Sequence, residues 1–136
     1  MSIRGIRRGT AMVLASAALT GGIALAGAGS ASAASGGGCG GPEYKQSCIS
    51  ATSEGYVNSD AYTTFSDANC SVDVVMVDKT TNFRWDKWFP CGTPNVKTRY
   101  QGNLLSNPAR GHVYQTELRV YWNGNADVTY GPELTF

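Results

Sequence analysis

The chain has 136 residues, with 11 Lys and Arg against 10 Asp and Glu and a formal charge of +1. Three of the basic residues, Arg4, Arg7 and Arg8, sit at the very start, so the rest of the chain carries 8 basic against 10 acidic side chains, a formal charge of −2. A near-neutral, slightly acidic surface argues against nucleic acid or an anionic membrane as the main partner.

The first segment has the three parts of a secretory signal. The arginines are followed by an alanine-rich apolar run from Ala11 to about Ala28, and then by Ala31-Ser32-Ala33, a small-x-small cleavage pattern. The run is short and broken by Gly21 and Gly22, and no basic stop follows it, which is unlike a membrane anchor. Residues 1–33 therefore read as a cleaved signal peptide, and 34–136 as a secreted chain with no membrane attachment. Arg7-Arg8 is not followed by the bulky apolar pair of a twin-arginine signal, which favours the general export route.

Residues 34–43 are Gly/Ser-rich and read as a flexible arm, with 44–136 as one small domain. The chain contains four cysteines, Cys39, Cys48, Cys70 and Cys91. In an exported chain of this size they predict two disulfides. Three pairings are possible. Cys39–Cys48 and Cys70–Cys91 is favoured, because the first ties down the arm and the second closes a hairpin-like stretch. No C-x-x-C pair is present, and neither a metal nor a cofactor is expected.

From Tyr44 onward the pattern is that of strands. Ser47–Ser53 and Tyr56–Phe65 are rich in Thr, Tyr, Val and Ile, with Glu54-Gly55 between them. Val72 to Val77 is apolar on both parities apart from Asp73, which predicts a central strand covered on both faces. Lys79–Asn82 turns the chain, and Phe83–Phe89 returns. A strand is expected around Val96–Gln101, then a loop over Gly102–Gly111. His112–Trp122 is a long strand, with His112, Tyr114, Thr116, Leu118, Val120 and Trp122 toward the core and Val113, Gln115, Glu117, Arg119 and Tyr121 outward. Asn123-Gly124-Asn125 is a hairpin turn. Ala126–Tyr130 pairs back, Gly131-Pro132 bends the chain, and a short strand ends it. About seven strands in roughly 100 residues predict an all-β fold, a small antiparallel β-sandwich of Ig-like size, with a closed barrel as the alternative.

The most unusual stretch is Phe83-Arg84-Trp85-Asp86-Lys87-Trp88-Phe89. Alternation places Phe83, Trp85, Lys87 and Phe89 on one side and Arg84, Asp86 and Trp88 on the other. Both sides cannot be core, so at least one Trp is exposed. Arg84, Trp85 and Trp88 are the candidate binding residues, as Trp and Arg suit either a protein hot spot or stacking on a sugar ring. The competing structural role is one Trp in the core and the other over the Cys70–Cys91 bridge.

His112 is the chain's one histidine and lacks a nucleophile motif around it. Asn123 to Asp127 resembles a calcium loop only in part, without the closing Glu. No motif assigns catalysis or a family. The expected function is a secreted, monomeric, disulfide-stabilised binding protein for an extracellular protein or a polysaccharide. Inhibition of an extracellular hydrolase is a specific form of this. The alternatives are a small carboxylate-dependent hydrolase and a structural cell-envelope or spore-coat protein.

Overall fold

The computed structural model describes residues 34–136, so the predicted signal peptide lies outside the described residues. Ten strands form, in chain order β1 (Ser35–Gly36), β2 (Gly38–Gly40), β3 (Lys45–Ala51), β4 (Val57–Thr63), β5 (Ser71–Asp78), β6 (Phe83–Trp85), β7 (Trp88–Pro90), β8 (Thr98–Leu105), β9 (Val113–Trp122) and β10 (Asn125–Thr135). They make two antiparallel sheets and no closed barrel. The larger sheet has the order β1-β10-β9-β5-β6, with β7 also on β5, and the smaller has the order β2-β3-β4-β8. Among the described residues there is no helix long and apolar enough to cross a membrane.

The core lies between the sheets in two contiguous clusters. Val72, Val74, Leu118 and Val120 of the larger sheet meet Ala61 and Tyr100 of the smaller one. Met76, Tyr114 and Leu134 meet Ile49 and Val57. These are the alternate residues of each strand, as the period of two requires. Of the expected inward set, Tyr114, Thr116, Leu118 and Val120 are buried, while Trp122 at the end of β9 and His112 just before it are only half-buried. Burying one such aliphatic side chain contributes roughly 1.5–3 kcal/mol.

The strand count exceeds seven for two reasons. The stretch Phe83–Phe89 is divided into β6 and β7 without losing register, since Trp85 faces Met76 and Phe89 faces Val72. The other reason is the arm. Residues 34–43 were expected to be flexible, yet β1 pairs with β10 and β2 pairs with β3. The chain crosses from one sheet to the other at Gly37, whose N–H donates to the Glu133 carbonyl at 2.8 Å. Gly37 has φ +84°, and a Cβ there would come within 2.9 Å of the Ile49 carbonyl oxygen. Glycine is used here for close approach and positive φ.

The expected loop at Gly102–Gly111 also begins later than the sequence implied, because β8 runs on to Leu105. Gly102 continues the strand against Ser59, where a Cβ would lie 2.3 Å from Ser59 Oγ. The register shifts at this point, between Asn58 and Asp60. Ser59 Oγ accepts the Asn103 N–H at 2.7 Å and so carries the ladder across the irregularity.

Turns follow their sequence signals. Asn123 and Gly124 have φ of +46° and +76°, as a two-residue type I′ hairpin needs. Gly131-Pro132 is a register break within one continuous strand, β10. The disulfides are Cys39–Cys48 and Cys70–Cys91. Cys39 and Cys48 are direct cross-strand partners. Cys91 closes the hairpin base, where its N–H also donates to the Cys70 carbonyl at 3.3 Å.

Candidate functional site

The outward face of the larger sheet is assembled from five strands, β5, β6, β7, β9 and β10. β5 lies between β9 on one side and β6 and β7 on the other. Asp73 is opposite Trp88 on β7 and opposite Arg119 on β9. Val77 is likewise opposite Arg84 on β6 and opposite Gln115 on β9. The outward row therefore brings Arg84, Asp86 and Trp88 beside Asp73, Val75 and Val77, and these beside Gln115, Glu117, Arg119 and Tyr121. From β10, Val128 stands opposite Arg119 and Tyr130 opposite Glu117.

This arrangement divides the three candidate binding residues. Arg84 and Trp88 share the outward face, and Trp88 is 57% exposed. Trp85 turns inward, packs against the Met76 and Tyr114 cluster, and meets the Phe83 ring edge-on at 4.7 Å. Its role is to finish the core at the sheet edge.

Trp88 stacks on Tyr121, with ring centroids 5.2 Å apart and planes 30° from parallel. Below this pair runs a charged chain. Glu117 Oε2 accepts from Arg84 Nη1 at 3.0 Å, from Arg119 Nη2 at 2.6 Å and from Arg119 Nε at 3.1 Å. Glu117 is only 5% exposed, covered by the two guanidinium groups. Burial alone would lower the affinity of Arg119 for its proton, but the hydrogen bond and charge of Glu117 hold it above the ordinary value. Val75 and Val77 also point outward and are nonetheless buried, which explains the double-sided apolar pattern of β5. On this face the cover comes from long side chains of neighbouring strands and not from another layer.

Asp73 lies at the centre of the row and is 1% exposed. Burial raises its pKa, the Asp86 charge raises it further, and Arg119 opposes both. Its Oδ1 has no hydrogen-bond partner. Three carboxylates, Asp73, Asp86 and Glu117, thus gather here. A hydrolase would need one of them to pass a proton to a substrate. Asp73 is sealed beneath the face, Glu117 already holds three N–H donors, and Asp86 alone of the three is exposed.

Tyr121 and Glu117 are four residues apart on β9, about 14 Å along the strand. Tyr130, opposite Glu117, is 58% exposed. The face therefore presents two aromatic contacts, Trp88–Tyr121 and Tyr130, with Arg119 and Val128 between them.

His112 has a different position. Its Nδ1 is 2.7 Å from Asp78 Oδ2, and Asp78 Oδ1 accepts the N–H groups of Thr80 and Thr81 at 2.9 and 3.2 Å. It joins the β5–β6 turn to the start of β9. In the Asn123–Asn125 turn, Asn123 Nδ2 donates to Asp67 at 3.1 Å. Among the described residues no group of three or more His, Cys, Asp or Glu side chains is placed to hold a metal ion.

The fold and face together define a two-disulfide antiparallel β-sandwich with an aromatic and ionic sheet surface. Comparison of the chain with protein-family models, curated proteins and solved structures finds no match.

Proposed function

We propose that this chain is a secreted, monomeric binding protein that meets its target with the outward face of the larger sheet. The observation that carries the reading is the Trp88–Tyr121 stack, with Trp88 57% exposed on the sheet face beside the Arg84–Glu117–Arg119 chain. Aromatic side chains beside arginine are the residues on which protein interfaces concentrate their affinity, and an exposed indole also stacks on sugar rings. The arginines are held in place by Glu117, so binding loses little side-chain freedom. The target is an extracellular protein, of which a secreted hydrolase is one form, or a polysaccharide. Two disulfides are compatible with an extracellular location, and the leader pattern at 1–33 supports secretion.

The test is the double variant Arg84→Ala/Trp88→Ala in the chain 34–136. Both side chains are substantially exposed, so the far-ultraviolet circular dichroism and a cooperative thermal transition should be retained. Capture of culture-medium proteins and retention on cell-wall polysaccharide should both be compared with the parent. Loss of a target with the fold intact supports the reading. Unchanged capture by a folded variant contradicts it.

A further inference from the structure

A second feature lies between the sheets, at the end of the sandwich where β3 begins and β9 ends. Here the inter-sheet core is incompletely filled and leaves a cleft of about 200 Å³. Its lining is Tyr44, Lys45, Thr63 and Phe65 from the smaller-sheet side and Val120, Trp122 and Asp127 from the larger sheet. Phe65 and Trp122 are half-buried and meet at 4.7 Å with planes tilted by 52°. They form an aromatic wall over Val120, which belongs to the core cluster. Lys45 and Asp127 pair across the mouth and link the two sheets. The Lys45 side chain is only 13% exposed, so its aliphatic stem belongs to the lining. Tyr44 forms the outer lip and is 61% exposed.

We infer that this cleft binds a small, uncharged, planar aromatic molecule of one or two rings. Size is the first argument. An enclosed apolar cavity of about 150 Å³ takes up benzene, and this open-mouthed, partly polar cleft of about 200 Å³ has room for one or two rings. Shape and surface are the second. A planar ring entering beside Phe65 and Trp122 meets aromatic faces, and it replaces water at a surface that otherwise stays partly wet. Charge is the third. The mouth holds one cation and one anion already paired, which leaves no net charge to hold an ionic ligand but offers a donor and an acceptor to a hydroxyl. The site is separate from the outward sheet face and does not depend on what that face binds.

The experiment is a titration of the mature chain with 2-naphthol, followed by amide chemical shifts. Saturable shifts centred on Tyr44, Lys45, Thr63, Phe65, Val120, Trp122 and Asp127 are expected. Phe65→Ala should weaken binding by about tenfold or more, since it removes one aromatic wall. Tyr44→Ala alters an exposed lip residue without touching the core, and should weaken binding severalfold with the fold retained. The carboxylate analogue 2-naphthoate should bind more weakly than 2-naphthol. No saturable shift, or shifts centred instead on Trp88 and Tyr121, would overturn the inference. So would unchanged affinity in a folded Phe65→Ala or Tyr44→Ala variant. Equal or tighter binding of 2-naphthoate would overturn the assignment to an uncharged ligand.

Discussion

Two aspartates on β5 carry opposite pH signatures. Burial of Asp78 alone would raise its pKa, but hydrogen bonds from His112, Thr81 and Thr80 outweigh burial and hold it below the ordinary value. A carboxylate depressed in the folded state adds stability above its unfolded pKa and loses it as pH falls through the folded one. Asp78→Ala should therefore cost about 2–3 kcal/mol at neutral pH, with the difference narrowing in strong acid. Asp73 behaves in reverse, because burial and Asp86 raise its pKa. Its charged form is penalised in the fold, so Asp73→Asn should stabilise at neutral pH. That gain should fade as pH falls from the raised value toward the unfolded one. Urea unfolding of both variants across pH measures the two slopes. If both variants show the same slope, the assignment of the two environments is wrong. At the same scale, Gly37→Ala should cost about 1–3 kcal/mol, because φ is +84° and the neighbouring Ile49 carbonyl blocks a Cβ.

Strands show how far the sequence could be read. The alternation of β9, the double-sided run of β5 and the Asn123-Gly124 turn were all legible, since each is local and periodic. Two segments were not. Glycines at 36–41 suggest flexibility, but here they allow the chain to lie against Ile49 and Leu134, a contact made with distant strands. The extension of β8 through Gly102 depends in the same way on Ser59. The open side of the sandwich is also a tertiary product. Lys87 Nζ donates to the Gly102 carbonyl at 3.1 Å, and Asn103 Nδ2 donates to the Trp85 carbonyl at 2.8 Å. These two bonds clasp the end of β6 and the β6–β7 link to the edge strand β8 of the other sheet, and place a charge where another chain could add. Lys87→Val should leave the Gly102 carbonyl without that donor, lower stability by about 1–2 kcal/mol and increase self-association in light scattering. A variant that stays monomeric and equally stable would refute this role. The disulfides act on the same scale. Sequence separations of 21 and 9 imply about 3.4 kcal/mol for Cys70–Cys91 and about 2.7 kcal/mol for Cys39–Cys48 through the unfolded chain. Removing each pair as a double Ala variant and comparing denaturation midpoints tests that order.

For the whole molecule, the candidate face was half legible. Alternation separated Arg84 and Trp88 from Trp85 and aligned Glu117, Arg119 and Tyr121. It could not show that β5 would place these two rows side by side, because the pairing of β5 with β9 joins residues 36 to 50 apart in sequence. Tyr130 and Val128 join the row only through β10. A domain of this size has a limited core, and the two disulfides supply part of its stability. That leaves the outward face free to hold exposed aromatic rings and a sealed aspartate that a fold chosen for stability alone would avoid. The most direct measurement is parallel capture of targets from culture medium and cell-wall extract by the parent chain and by folded Arg84→Ala/Trp88→Ala. The account predicts a target retained by the parent and lost by the variant. Equal retention by both, or no retained target from either source, would contradict it.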